Sequence, residues 1–143
     1  MKFIDVSGVE FACPVSFTGT VDLSTATSVT VPVYLTLDVA TLVGTGVSGI
    51  PCPVAGTVTS IQSRLKAPLT TGDATLTAKI GATAITGGVI TITQSGSAIG
   101  DIDSCTPSAA NTVAVGSNLS VTCGGTNDAA VGATVVFTIL RSA

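Results

Sequence analysis

TTGDATLTAKIGATAITGGVITIT, residues Thr70–Thr93, decides the fold. In ATLTAKI, Ala74, Leu76, Ala78 and Ile80 occupy every second position, with Thr75, Thr77 and Lys79 between them. Successive side chains of a strand point to opposite faces of its sheet, so a period of two marks a strand with one face buried. GVITITQ continues the pattern: Ile90 and Ile92 oppose Val89, Thr91 and Thr93. A helix would place apolar residues at i, i+3, i+4 and i+7, and no window of the chain keeps such a stripe for three turns.

The same alternation runs outward from this stretch. In NLSVTC, Leu119, Val121 and Cys123 oppose Ser120 and Thr122. TVVFTILRS sets Val135, Phe137 and Ile139 on one face and Val136 and Leu140 on the other, so both faces of that strand are partly covered. TVTSIQSRLKA, ATAIT, SAIGDID and NTVAVG are further strands. Turn residues separate them: TTGD at 70–73, TGG at 86–88, QSGS at 94–97, VGSN at 115–118 and CGGTND at 123–128. Threonine and valine dominate throughout, and β-branched side chains suit a pleated surface. About eight short strands from Val54 onward predict an all-β fold, a sandwich or barrel.

Composition limits what such a domain can do. The chain has 143 residues, of which 9% are charged and 3% aromatic, with no His and no Trp. A typical soluble domain has about 25% charged residues. Mean hydropathy is +0.71. No stretch of roughly 20 apolar residues is present to span a membrane as a helix; VPVYLTLDVATLVGTGVSGI is broken by Pro32, Asp38 and glycines. The reading is a surface largely covered by other copies or by a partner, since obligate interfaces resemble a core cut in half. Net charge is −3, and five scattered basic residues form no patch for phosphate, so nucleic-acid binding is not expected.

GTGVSGIPCP, Gly44–Pro53, contains the spacing G-x-G-x-x-G. A dinucleotide loop must open a helix, whose N-terminus holds the pyrophosphate. Here Pro51 and Pro53 impose extended geometry. The stretch reads as a turn, and no cofactor is expected.

Residues 1–48 differ from the rest. They hold Phe3, Phe11 and Phe17 of the four phenylalanines, and Tyr34, the single tyrosine. They are read as an N-terminal arm or extended segment, with residues 49–143 as the β-sandwich domain; the alternative is that they are outer strands of the same fold. Arms of this kind pair with neighbours by strand addition. CPVSFTGTV from Cys13 and CPVAGTV from Cys52 echo each other, which fits two strand starts built alike.

The cysteines are Cys13, Cys52, Cys105 and Cys123. They show no C-x-x-C spacing and there is no His to join them, so no zinc site is expected. The opening MKFIDVSGVEF lacks the apolar run of a secretory signal. Reduced, buried thiols are therefore expected; Cys105 and Cys123, flanking a pair of strands, are the first choice if a bridge forms.

Catalytic chemistry is mostly missing. Without His, and with Lys at only three positions, no base stands ready to activate a Ser or Cys nucleophile. Asp101 and Asp103 in GDIDS are the one close carboxylate pair. On a strand they would share a face, as a Ca²⁺ site or as a charged edge that blocks stray pairing. The charged edge is the expectation, with no metal. Arg64 and Lys66 have the same spacing and could meet the two aspartates across a subunit contact. Asn127–Asp128 reads as a turn. No enzyme activity is expected.

Several segments taken in order carry a resemblance: PVAGTV (Pro53–Val58), Thr70–Thr93, SGSAIGDI (Ser95–Ile102), TPSAANTVAVGSNLSVTCGG (Thr106–Gly125) and a closing strand ending in Arg141. Together they resemble a recurring domain of bacteriophage virion proteins, the capsid decoration or cement proteins. The resemblance covers about two-thirds of the chain and leaves out residues 1–48. It implies a jelly-roll-like sandwich, assembled in the host cytoplasm and then bound to the outer surface of an icosahedral head. There it would form a homotrimer that clamps major capsid proteins against the pressure of packaged DNA. Phe3, Phe11, Phe17 and Tyr34 would be the capsid or subunit contacts, since aromatic residues dominate such interfaces. The alternative is a head or tail fibre or spike module that binds a host-surface glycan.

Overall fold

The strands pair as one long ribbon folded over on itself. The computed structural model describes residues 31–141, which form β1 (Val31–Val39), β2 (Val47–Pro51), β3 (Gly56–Leu65), β4 (Ala74–Ile80), β5 (Thr83–Ile92), β6 (Ile102–Cys105), β7 (Thr112–Val113), β8 (Asn118–Gly125) and β9 (Ala133–Arg141). β1 pairs with β9, β2 with β8, β3 with β6 and β7, and β4 with β5, every pair antiparallel. The ribbon then rolls up as β9 joins β3 and β8 joins β4. One sheet runs β1-β9-β3-β6, with β7 also on β3, and the other runs β2-β8-β4-β5. This nested order is that of a jelly roll, in which two sheets form a sandwich. No helix occurs among the described residues.

The alternation predicted from the sequence becomes the core. Ala74, Leu76 and Ala78 of β4 are buried while Thr75 and Thr77 are half-covered. Phe137, Ile139, Ile61 and Leu65 of the first sheet face Leu76, Ile90, Ile92, Leu119 and Val121 of the second, all of them buried. Each such side chain contributes about 1.5–3 kcal/mol on leaving water, and their interlocking between two sheets holds strands too short to persist alone.

Three expectations are corrected. Part of residues 1–48, the expected arm, belongs to the sandwich: β1 pairs with β9 along its whole length, and Leu37, Val39 and Leu42 lie in the core. TGG at 86–88 does not end a strand. Gly87 takes φ +73° and bends β5 around residues 106–109, so ATAIT and GVITITQ are halves of one strand. SAIGDID is mostly loop: Gly100 has φ +91° and β6 starts only at Ile102.

The long connections 40–46, 66–73, 93–101 and 126–132 gather at one end and bond to one another. Leu42 N–H donates to Val131 O (2.7 Å), Lys66 N–H to Gly132 O (3.0 Å), and Thr126 and Asn127 N–H both to Asp73 O (2.8 and 3.0 Å). Leu69 N–H donates to Ser97 Oγ (2.8 Å). The opposite end has only short turns, tied where Cys52 N–H donates to Ser117 O (2.7 Å) and Gly116 N–H to Cys52 O (2.8 Å).

Candidate functional site

The two outer faces follow from strand register. On the second sheet, Val47, Thr122, Thr77 and Val89 form a row across all the strands, and Gly49, Ser120, Lys79 and Ala84 form the next. Lys79 is the one charged side chain on these rows. Val47 is 67% exposed and Val89 49%. On the first sheet the rows are Tyr34–Thr138–Ser60, Thr36–Val136–Gln62–Ser104 and Asp38–Thr134–Arg64–Ile102. A shallow, largely apolar depression of about 190 Å³ lies there between Gln62, Arg64, Ile102, Thr134 and Val136. Tyr34 and Ile102 stand out from this face, each 67% exposed.

Of the expected contact residues, Tyr34 therefore projects from an outer face. Phe3, Phe11 and Phe17 lie outside the described residues, as does Cys13. The structure adds exposed apolar residues that sequence reading did not single out: Val47, Val89, Ile99, Ile102 and Val115. Val89 is legible in part, because it shares a strand face with Thr91 and Thr93; Val47 is not, because its stretch reads as a turn.

The aspartate pair is split by the end of the strand. Asp101 lies in the β5–β6 loop, where its Oδ2 accepts the Ala98 N–H (2.6 Å) and its carbonyl accepts the Leu65 N–H (2.9 Å). Asp103 is on β6, opposite Ser63. Burial, and to a lesser degree the neighbouring Asp101, hold the Asp103 carboxyl above the ordinary aspartate range. Both border a polar depression of about 240 Å³ at the long-loop end, with Thr93, Ser95 and Ser97 on its walls and Leu65 and Ile92 beneath. Within the chain, Lys66 pairs with Asp38 of β1. Asn127 organises its own loop, with Nδ2 donating to Ala129 O (2.9 Å) and Oδ1 accepting from Ala129 N–H (3.3 Å).

Cys52, Cys105 and Cys123 are free thiols. Cys105 and Cys123 belong to different sheets, on β6 and β8, and are not bridged. Burial raises both of their thiol pKa values, which suits small apolar groups better than nucleophiles. In the G-x-G-x-x-G stretch, Gly44 has φ +71° in the β1–β2 loop and the Gly46 carbonyl accepts the Cys123 N–H (2.9 Å). The stretch leads into β2, a strand. Among the described residues no group of three or more Cys, Asp or Glu could hold a metal ion. A scan against protein-family models found no match for this chain, and a search of curated proteins found no significant match.

Proposed function

We propose that this protein is a structural virion component: a decoration protein that binds the outside of an icosahedral phage head as a homotrimer and bridges major capsid proteins. The observation that carries the reading is the second sheet's outer face, four strands wide with Lys79 its one charge and valines at both margins. Charged residues usually keep such a surface from sticking; their scarcity suits a face that spends its life against protein. The first sheet's face, with Tyr34 and Ile102 exposed, offers a second contact, so one molecule can touch two neighbours. The role is mechanical. A stable contact buries about 1,600 Å², and a trimer engaging three capsid subunits multiplies modest contacts by avidity.

A second reading, a fibre or spike module that binds a host-surface glycan, draws on the 240 Å³ depression, whose hydroxyls and carboxylates suit a sugar. Val47→Asp with Val89→Asp separates the two. On the decoration reading it abolishes sedimentation with heads that lack the native protein. On the glycan reading that variant is silent, and Asp103→Ala removes binding on a glycan array.

A further inference from the structure

Tyr34 and the hollow beside Arg64 lie diagonally across the outer face of the first sheet. Tyr34, on β1, is 67% exposed. The hollow, about 190 Å³, is bounded by Thr134 and Val136 of β9, Gln62 and Arg64 of β3 and Ile102 of β6. Register separates Tyr34 from Arg64 by two strands and two rows. At about 4.8 Å per strand and 3.3 Å per residue, their Cα atoms are roughly 16 Å apart. Side chains that stand up from a sheet do not pack on each other over that distance.

Their chemistries are complementary. A tyrosine offers an apolar ring with a hydroxyl at its tip, and such rings anchor protein contacts. The hollow holds Val136 and Ile102, the latter itself 67% exposed, for the body of a ring, and Gln62 and Thr134 for its hydroxyl. Arg64 supplies a guanidinium, which stacks on an aromatic face. That guanidinium has a seat. A Cβ on Gly100 would stand 3.5 Å from its Nη2 and 4.0 Å from its Nε and Cζ, so the group lies along the turn at Gly100. The turn is tied to the end of β3, where Gly100 N–H donates to Leu65 O (2.9 Å).

A knob and a hollow at two places on one face fit a contact between copies. Seated head to tail, each copy gives its tyrosine to the next and receives one from the copy before. Such a contact either closes into a ring or runs on as a filament. A three-fold axis set across the diagonal from Tyr34 to the hollow closes it after three. The face is four strands wide and up to nine residues long, roughly 19 by 30 Å. That approaches the ~800 Å² that each partner gives to a stable contact.

We propose that Tyr34 of one copy seats in this hollow on the next, against Ile102 and the Arg64 guanidinium, and that three such contacts build the homotrimer. The inference rests on the trimer of the reading above and not on its virion. It gives the first sheet's face to other copies and leaves the second sheet's face for the capsid.

A double-mutant cycle on the full chain, read by sedimentation velocity over a range of concentrations, tests it. Both residues are exposed, so their substitutions should leave the fold intact, which far-UV circular dichroism checks. The unsubstituted chain should sediment as a trimer. Tyr34→Ala and Arg64→Ala should each raise the concentration of half-assembly at least about tenfold. Tyr34→Phe, which keeps the ring, should stay within a few-fold of the unsubstituted chain. Tyr34→Ala with Arg64→Ala should do little more than either alone. Residues more than about 10 Å apart with no shared partner act additively, so that shortfall requires the two to meet across copies. Additive losses would overturn the proposal, as would a trimer that survives both substitutions. A dimer would overturn it in favour of a two-fold contact, and a monomer would overturn it together with the trimer. A trimer that responds as described yet ignores phage heads would uphold the contact and refute the virion reading alone.

Discussion

Gly56, the first residue of β3, lies so close to the Leu140 carbonyl of β9 that a Cβ on it would stand 2.3 Å from that oxygen. The obstacle is backbone in the middle of a sheet, so it cannot swing away as a side-chain tip would. Gly56→Ala should destabilise the fold by about 1–3 kcal/mol, the usual range for overpacking. The midpoint of urea unfolding checks this, and an unchanged midpoint would contradict the packing at this strand pair.

Phe137 is the largest fully buried side chain. It sits on β9, between β1 and β3 in the first sheet. Phe137→Ala should cost about 3–5 kcal/mol, a large part of a stability that for most domains is about 5–15 kcal/mol. Chemical denaturation measures it, and a loss below about 1 kcal/mol would mean that the core is centred elsewhere.

Ser63 is 1% exposed, and its hydroxyl has no hydrogen-bond partner among the described residues. A buried hydroxyl left unpaired is a cost that alanine does not carry. Ser63→Ala is expected to raise stability by about 1 kcal/mol. Loss of stability in a thermal melt would show that the hydroxyl is satisfied.

The strands themselves were legible because their periodicity is local. ATLTAKI is β4 from end to end, and Val135, Phe137 and Ile139 alternate as read. Errors arose where tertiary contacts override local chemistry. Gly87–Gly88 reads as a turn, yet the loop at Thr106–Ala109 docks against it and β5 continues. β1 reads as part of the arm because Pro32 interrupts it, although Val33, Leu35, Leu37 and Val39 keep the period of two; the proline is tolerated because β1 is, among the described residues, at the edge of its sheet. Tyr34, exposed on the first sheet's outer face, stands out in the sequence by residue type alone. The charge-poor face does not, since it needs the β2–β8–β4–β5 order to bring Val47 and Val89 into one row.

Asp103 gives a pH dependence of definite sign. Its carboxyl has a raised pKa in the folded protein, by burial first and by Asp101 second, so in that window the folded state binds more protons than the unfolded one. Stability therefore falls as pH rises from the ordinary aspartate range through the higher folded value, and this contribution is favourable only on the acid side. Asp103→Asn should flatten that part of the melting-temperature profile and raise the melting temperature slightly at neutral pH. A profile identical to that of the unsubstituted chain would contradict the assignment.

The central claim is that a surface with so little charge is covered by companions. Sedimentation velocity of the purified chain, alone over a range of concentrations and then mixed with phage heads lacking it, tests this most directly. The account predicts a trimer in the first case and co-sedimentation in a fixed ratio to the capsid protein in the second. A monomer at every concentration, left in the supernatant when heads are present, would contradict it.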